Sequence, residues 1–239
     1  MCIVAVAHRV SERYPLIVAA NRDERHSRPT ESAHWWGDPG SLLAGRDLEA
    51  GGTWLGITRA GRFAAVTNIF EAGAVRAARS RGDLVTRFLE GSECAAGYAA
   101  AVEASGSLYG PFNLVLFDGA RLHFASNRFE SSGLQAGTHV FSNSAPGLLW
   151  PKVGSLAGAI QSALDSDDLA EQLIELLSKP EVRGPLERAP ESLFVVGNAF
   201  GTRCSTALTI DAHGRVVFIE QGFDAAGRPT GRSEQAFVV

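Results

Sequence analysis

The chain opens on Cys-Ile-Val-Ala-Val-Ala-His (2–8), an almost unbroken apolar run rich in β-branched residues. Such a run suits a strand covered on both faces rather than one with a solvated side. A polar connection, 9–14, leads to a second run, 16–20. The two read as a hairpin whose second strand ends at Asn21-Arg22-Asp23-Glu24. Three further pairs follow. Segments 53–58 and 62–67 flank Ala60-Gly61, and 112–117 and 121–126 flank Asp118-Gly119, a strong two-residue turn signal. Segments 203–211 and 215–221 meet at His213-Gly214.

Helical periodicity lies between the pairs. Ser80-Arg81-Gly82-Asp83 has the form of a capping box without its glutamate and opens 84–89. The alanine-rich stretch 93–103 reads as helix and contains Cys94. Pro151 occupies a first-turn position ahead of 153–164. Segment 168–177 sets Leu169, Leu173, Leu176 and Leu177 on one stripe. Hairpins with helices grouped between them predict an α+β fold of antiparallel sheets and helical layers. The doubly covered first strand predicts a four-layer helix–sheet–sheet–helix (αββα) sandwich. No repeat, low-complexity tract or linker divides the sequence, so residues 1–239 read as a single domain.

Composition narrows the function classes. The chain has 239 residues, 45% hydrophobic and 20% charged, which describes an ordinary globular protein able to bury a core. A net charge of −4 points away from nucleic acid and from an anionic membrane surface. No apolar run approaches the roughly 18 residues of a spanning helix, so no membrane insertion is expected. The run 3–7 is too short for a signal-peptide core. Cys2, Cys94 and Cys204 show no CxxC spacing and cannot all pair. Free thiols in a reducing cytoplasm are therefore expected, with Cys94 and Cys204 as inert buried thiols. The histidines lack metal spacing, and Gly51-Gly52-Thr53 is not followed as a phosphate loop would be. Arg76, Arg79 and Arg81 form the one basic enrichment, which reads as a solvated loop.

Cys2 carries the most chemistry. Aminopeptidases remove an initiating methionine ahead of a small residue, which would make Cys2 the first residue of the mature chain. Thiol and α-amine then share one residue, with reference pKa values of about 8.5 and about 7.7–8.0. The amine can take the thiol proton near neutral pH without a separate histidine. Taken alone, Cys2 reads as a small residue starting a buried strand. A nucleophile also needs a group to hold the α-amine and donors for the oxyanion. Asp23 can do the first, and Asn68 and Asn143, each where a strand becomes a loop, can do the second. Turn chemistry explains either asparagine as well.

Together these residues resemble a known family. Asn21-Arg22-Asp23-Glu24 with Arg28-Pro29-Thr30 is similar to the tetrapeptide that names the NRDE family, which includes the transport-and-Golgi-organisation proteins. Met1-Cys2-Ile3, Gly51-Gly52-Thr53-Trp54-Leu55-Gly56, Thr67-Asn68, Ser142-Asn143-Ser144 with Trp150-Pro151-Lys152, and Gly201-Thr202-Arg203 follow in family order, so the resemblance covers residues 1 to about 224. It implies an N-terminal-nucleophile-hydrolase-like fold. The order Cys2, Asp23, Asn68, Asn143, Arg203 also resembles the catalytic series of bile-salt hydrolases and penicillin V acylases. That resemblance implies Cys2 as nucleophile, Asp23 on the α-amine, both asparagines on the oxyanion and Arg203 stabilising the nucleophile's surroundings. Those hydrolases carry an arginine three residues before the aspartate, where this chain has Ala20. Arg22 would replace it from the same strand face if the strand stays regular.

Two functions follow from the resemblance. One is a cysteine amidohydrolase or acyl-transfer protein acting on amide or thioester bonds, needing no cofactor. The other is a non-catalytic carrier of haem or acyl-coenzyme A. Here Asn21, Arg22, Glu24, Arg25 and Arg28 line a ligand site, the arginines meeting propionates or phosphates. Trp35 and Trp36 form its apolar wall, or else serve as buried anchors, and His8 and His26 read as surface or loop histidines or else as axial ligands for haem.

Overall fold

The apolar opening run forms β1 (Ile3–His8), all of it buried, and the next run forms β2 (Leu16–Arg25) beside it. In chain order there follow β3 (Thr30–Trp36), β4 (Leu42–Asp47), β5 (Leu55–Thr58) and β6 (Phe63–Asn68). Helices α1 (Gly82–Glu90) and α2 (Ala95–Ser105) precede β7 (Phe112–Phe117), β8 (Leu122–Ser126), β9 (Ser132–Leu134) and β10 (Gly137–Phe141). Then come α3 (Pro151–Ala163), α4 (Leu169–Leu177), the short β11 (Val182–Arg183) and β12 (Val195–Val196). The chain closes with β13 (Phe200–Ile210), β14 (Arg215–Phe223) and β15 (Pro229–Val238). This computed structural model describes residues 2–37, 40–71, 73, 77–146, 151–179, 182–183 and 192–239. Met1, Arg76 and Trp150, each part of a pattern noted in the sequence, lie outside the described residues.

Two units divide the chain. The first comprises Met1–Arg28, Ala136–Ser142 and Pro146–Val239, and the second Pro29–Gln135 with Asn143–Ala145. The first is built on a six-stranded sheet of order β10-β1-β2-β13-β14-β15, antiparallel at every pairing. Ile3, Ala5 and Ala7 of β1 and Ile17 and Ala19 of β2 pack against Leu156 and Ile160 of α3 and Leu169, Leu173 and Leu177 of α4. The alternate positions, Val4, Val6, Leu16 and Val18, are buried as well, so the first hairpin is covered on both faces as its composition demands.

The second unit holds the seven-stranded antiparallel sheet β3-β4-β5-β6-β7-β8-β9. Leu42, Ala44, Ala64, Val66, Leu114 and Leu116 pack on Leu84, Val85 and Phe88 of α1 and on Tyr98, Ala99 and Val102 of α2. Burying a leucine or phenylalanine there contributes about 1.5–3 kcal/mol apiece. The Tyr98 hydroxyl donates to the Leu84 carbonyl at 2.8 Å, which satisfies its one polar atom inside that layer. Each unit is thus a sheet with helices on one face, and the class is α+β. Among the described residues no helix is long and apolar enough to cross a membrane.

Several expectations are corrected. The second strand does not end at Asn21-Arg22-Asp23-Glu24. It continues to Arg25, because β13 pairs along its whole length, from Phe200 opposite Arg25 to Ile210 opposite Leu16. The ladder has one irregularity, and it falls on β13. Thr202 faces Asp23 and Cys204 faces Arg22, leaving Arg203 as an extra residue in a bulge while β2 stays regular. Helix α2 begins two residues later than expected. Cys94 is its N-cap, with extended backbone and an exposed thiol that accepts the Gly97 N–H at 3.4 Å, so it is neither helical nor buried. The Asp118 carboxylate accepts the Ala95 N–H at 2.9 Å and fixes that start. For α1 the N-cap is Arg81, and Ser80 Oγ accepts the Gly82 N–H at 3.2 Å.

Candidate functional site

Pairing of Ile3 with Asn21 sets residue 2 beside the far end of β2. Cys2 is half-buried there, and its Sγ lies 4.0 Å from the Asp23 carbonyl oxygen, within reach of a weak S–H donor. Asp23 is 4% exposed. Its Oδ1 accepts the Thr202 hydroxyl at 2.7 Å, and the same hydroxyl oxygen accepts the Val195 N–H at 2.9 Å. The hydroxyl thus gives its one proton to Asp23 and one of its two lone pairs to the Val195 N–H. Burial raises the Asp23 carboxyl above the usual carboxylate range, and the Thr202 hydrogen bond and the Lys152 charge work against that rise.

Lys152, in the first turn of α3, is 1% exposed. Burial lowers its ammonium below the ordinary lysine range, while Asp23 and Cys2 hold it up. Cys2, Asp23, Thr202 and Lys152 thus share one neighbourhood of the first unit. A buried carboxylate beside residue 2 is a counter-charge for any cation placed there, and a buried ammonium favours negative charge on nearby atoms.

The remaining candidates in this unit divide. Arg22 is buried, on the same alternation as Ala20 in a regular strand, and faces Cys204 across the ladder. Cys204 is buried, and burial together with neighbouring Glu220 pushes its thiol well up, the state of an unreactive thiol. Arg203 turns to the loop after β2, where Nη1 donates to the carbonyls of Arg25 and His26 at 3.1 Å and of Arg28 at 3.3 Å. Asn21 donates to the Leu177 carbonyl at 2.9 Å and the Leu193 carbonyl at 2.7 Å, tying β2 to the end of α4. Glu24 accepts the N–H of Arg25 at 2.8 Å. His26 donates to the Gly197 carbonyl at 2.8 Å, and burial lowers His8 below the ordinary histidine range.

In the second unit, Asn68 ends β6 and Asn143 donates to it twice, at 2.6 Å to its carbonyl and 2.7 Å to its Oδ1. Trp35 and Trp36 lie on β3. The Arg59 guanidinium stacks 3.8 Å from the Trp35 ring centroid and Arg46 stacks 4.8 Å from that of Trp36. Trp36 also donates to the Ala44 carbonyl at 2.9 Å and packs on the second unit's core, which is the work of an anchor.

Sequence reasoning assigned no role to Lys152 or Thr202. The signal for Lys152 was present: a lysine directly after a first-turn proline opposes the helix dipole, and a residue that breaks a local rule is a site candidate. Thr202 carries no such mark, because its role depends on the bulge.

A family profile described as Transport and Golgi organisation 2 matches residues 1–225. The Transport and Golgi organization protein 2 homolog of Bos taurus is 34% identical over 239 residues, covering 87% of this chain and 86% of its own. The solved structures that share the fold include these two. One is the N-acylethanolamine-hydrolyzing acid amidase ortholog of Caenorhabditis elegans, with TM-score 0.51 and 14% identity over 87% of this chain and 92% of that one. The other is the C2A mutant of the conjugated bile acid hydrolase of Clostridium perfringens, with TM-score 0.50 and 7% identity over 100% and 92%. Their architecture is the N-terminal-nucleophile-hydrolase type that the sequence implied. The chain belongs to the Transport and Golgi organisation 2 family.

Proposed function

We propose that this chain is a cysteine N-terminal-nucleophile hydrolase or acyl-transfer protein acting on amide or thioester bonds. The observation that carries the reading is the placement of Cys2 beside a buried carboxylate, with its thiol 4.0 Å from the Asp23 backbone and Asp23 held by Thr202. Once Met1 is removed, the α-amine of Cys2 takes the thiol proton while the Asp23 carboxylate holds the resulting ammonium. The sulfur attacks the acyl carbonyl carbon, and, as the resemblance implies, Asn68 donates to the oxyanion while Asn143 holds Asn68 in place. The carbonyl re-forms, the C–N or C–S bond breaks, and the α-ammonium returns its proton to the leaving amine or thiol. Water then cleaves the thioester to a carboxylic acid and regenerates the Cys2 thiol. The two solved proteins named above support the reaction class by name, one an amidase and the other a hydrolase of conjugated bile acids.

The test is peptide mass spectrometry of protein whose intact mass shows Met1 gone, after exposure to fatty acyl thioesters, N-acyl amides and β-lactones. An acyl adduct on Cys2 that water clears is the expected result. Binding of acyl-coenzyme A or haem with no adduct from any of the three probes would overturn the hydrolase reading in favour of a carrier.

A further inference from the structure

The most buried cation near Cys2 is not on the strand that carries the Asn-Arg-Asp-Glu segment. Lys152 sits in the first turn of α3, where a positive charge opposes the helix dipole, and only 1% of its surface is exposed. An ammonium in that position is costly unless an anion meets it. Helix α3 packs against β1 and β10, and the ionisable groups whose fields reach Lys152 are Asp23 on β2 and Cys2 at the head of β1. Asp23 in turn is flanked by Lys152 and Arg22. Its Oδ1 accepts the Thr202 hydroxyl proton.

We propose that Lys152 is the cation of the Cys2 site, neutralising Asp23 and stabilising negative charge as it forms on the Cys2 sulfur. Its use in turnover rests on the function proposed above, whereas the field itself is a property of the folded chain. Lys152 acts through Cys2 and Asp23 and is a positioning residue in that sense. The site accordingly favours an anionic group arriving at the thiol over a neutral one of the same size.

Iodoacetate and iodoacetamide test this directly. Both alkylate the same thiolate, so at one pH the ratio of their rates at Cys2 cancels the ionisation of the thiol and reads the local charge. Exposed Cys94 serves as the reference thiol in the same sample. Lys152→Met is expected to lower the anionic-to-neutral ratio at Cys2 about three- to tenfold, with Cys94 unchanged. Lys152→Arg is expected to retain the ratio. An unchanged ratio in Lys152→Met overturns the proposal. If that variant does not fold, the comparison is Asp23→Asn against Asp23→Asn/Lys152→Met, where the same drop supports the proposal and its absence overturns it. A Lys152-dependent ratio in a protein that forms no acyl adduct defeats the hydrolase reading alone. A Lys152-independent ratio in a protein that does form the adduct defeats this inference alone.

Discussion

Asn143 commits both protons of its side-chain amide to Asn68, one to the backbone carbonyl and one to the side-chain oxygen. Asn143 is 3% exposed, and its own Oδ1 has no hydrogen-bond partner among the described residues. The orientation is fixed, since a flipped amide would set oxygen against two oxygens. The pair therefore presents Asn68 Nδ2 as its uncommitted donor, with Asn143 holding it.

A first prediction follows from that division of labour. Asn143→Ala removes two hydrogen bonds and should cost about 1–3 kcal/mol, read by urea denaturation. Asn143→Asp should cost more, because a carboxylate would face two acceptors. Asn68→Ala should slow acylation of Cys2 about a hundredfold, the usual loss for one oxyanion donor, with a smaller effect on stability. Equal stability losses from Ala and Asp at position 143 would contradict the assigned orientation.

The Thr202 hydroxyl links Asp23 to the Val195 N–H. Thr202→Val keeps the shape and removes both bonds inside a buried site, so a loss of about 2–4 kcal/mol is expected. Thr202→Ser should stay within about 1 kcal/mol of the parent. A valine variant as stable as the parent would show that the hydroxyl does not carry this contact.

Arg203 holds the carbonyls of Arg25, His26 and Arg28 with one nitrogen. Its replacement by methionine should loosen the turn after β2 with little effect on the sheet cores. Amide exchange at Arg28, whose N–H bonds Arg25 at 3.0 Å, should speed up while that of Val18 stays slow. Unchanged protection at Arg28 would remove the side chain from this role.

The two buried charges of the Cys2 site pull stability in opposite directions with pH. The Lys152 ammonium is lowered by burial, so between its folded value and the ordinary 10.5 the native chain binds fewer protons than the unfolded one. Stability relative to Lys152→Met should therefore rise as pH climbs through that window. The Asp23 carboxyl is raised by burial, so above the ordinary 3.8 the native chain holds the extra proton. Stability relative to Asp23→Asn should fall as pH rises through that window. Melting temperatures of the three proteins from pH 4 to 10 decide the matter, and parallel curves would count against both assignments.

Much of the fold was legible in the sequence. The hairpins at Gly61 and Gly119 were readable because both glycines adopt positive φ, 75° and 96°, which few other residues tolerate. The doubly buried β1 was readable because a solvated face would have shown polar alternation. What escaped has equally physical reasons. Strand β15 is largely exposed and polar along its length, held by backbone pairing to β14, so no apolar pattern announces it. Strand β3 alternates poorly because its tryptophans are covered by arginines rather than by a core alone. Of the candidate site, Cys2 and Asp23 were legible as residue types at a strand end. Thr202 was not, since its partner is 179 positions away and depends on register.

That register turns on a single surplus residue. Without the bulge, Thr202 and Cys204 would lie two apart on one pleat and share a face. With it they meet consecutive residues of β2, Asp23 and Arg22, and so look in opposite directions. Arg203 is therefore the residue that the ladder sets aside. A substitution there edits loop contacts, and removing the residue would leave Thr202 and Cys204 as neighbours in a regular ladder, still facing Asp23 and Arg22. What would carry the Thr202 hydroxyl off Asp23 is straightening the bulge with Arg203 in place, which would set Arg203 opposite Asp23 instead.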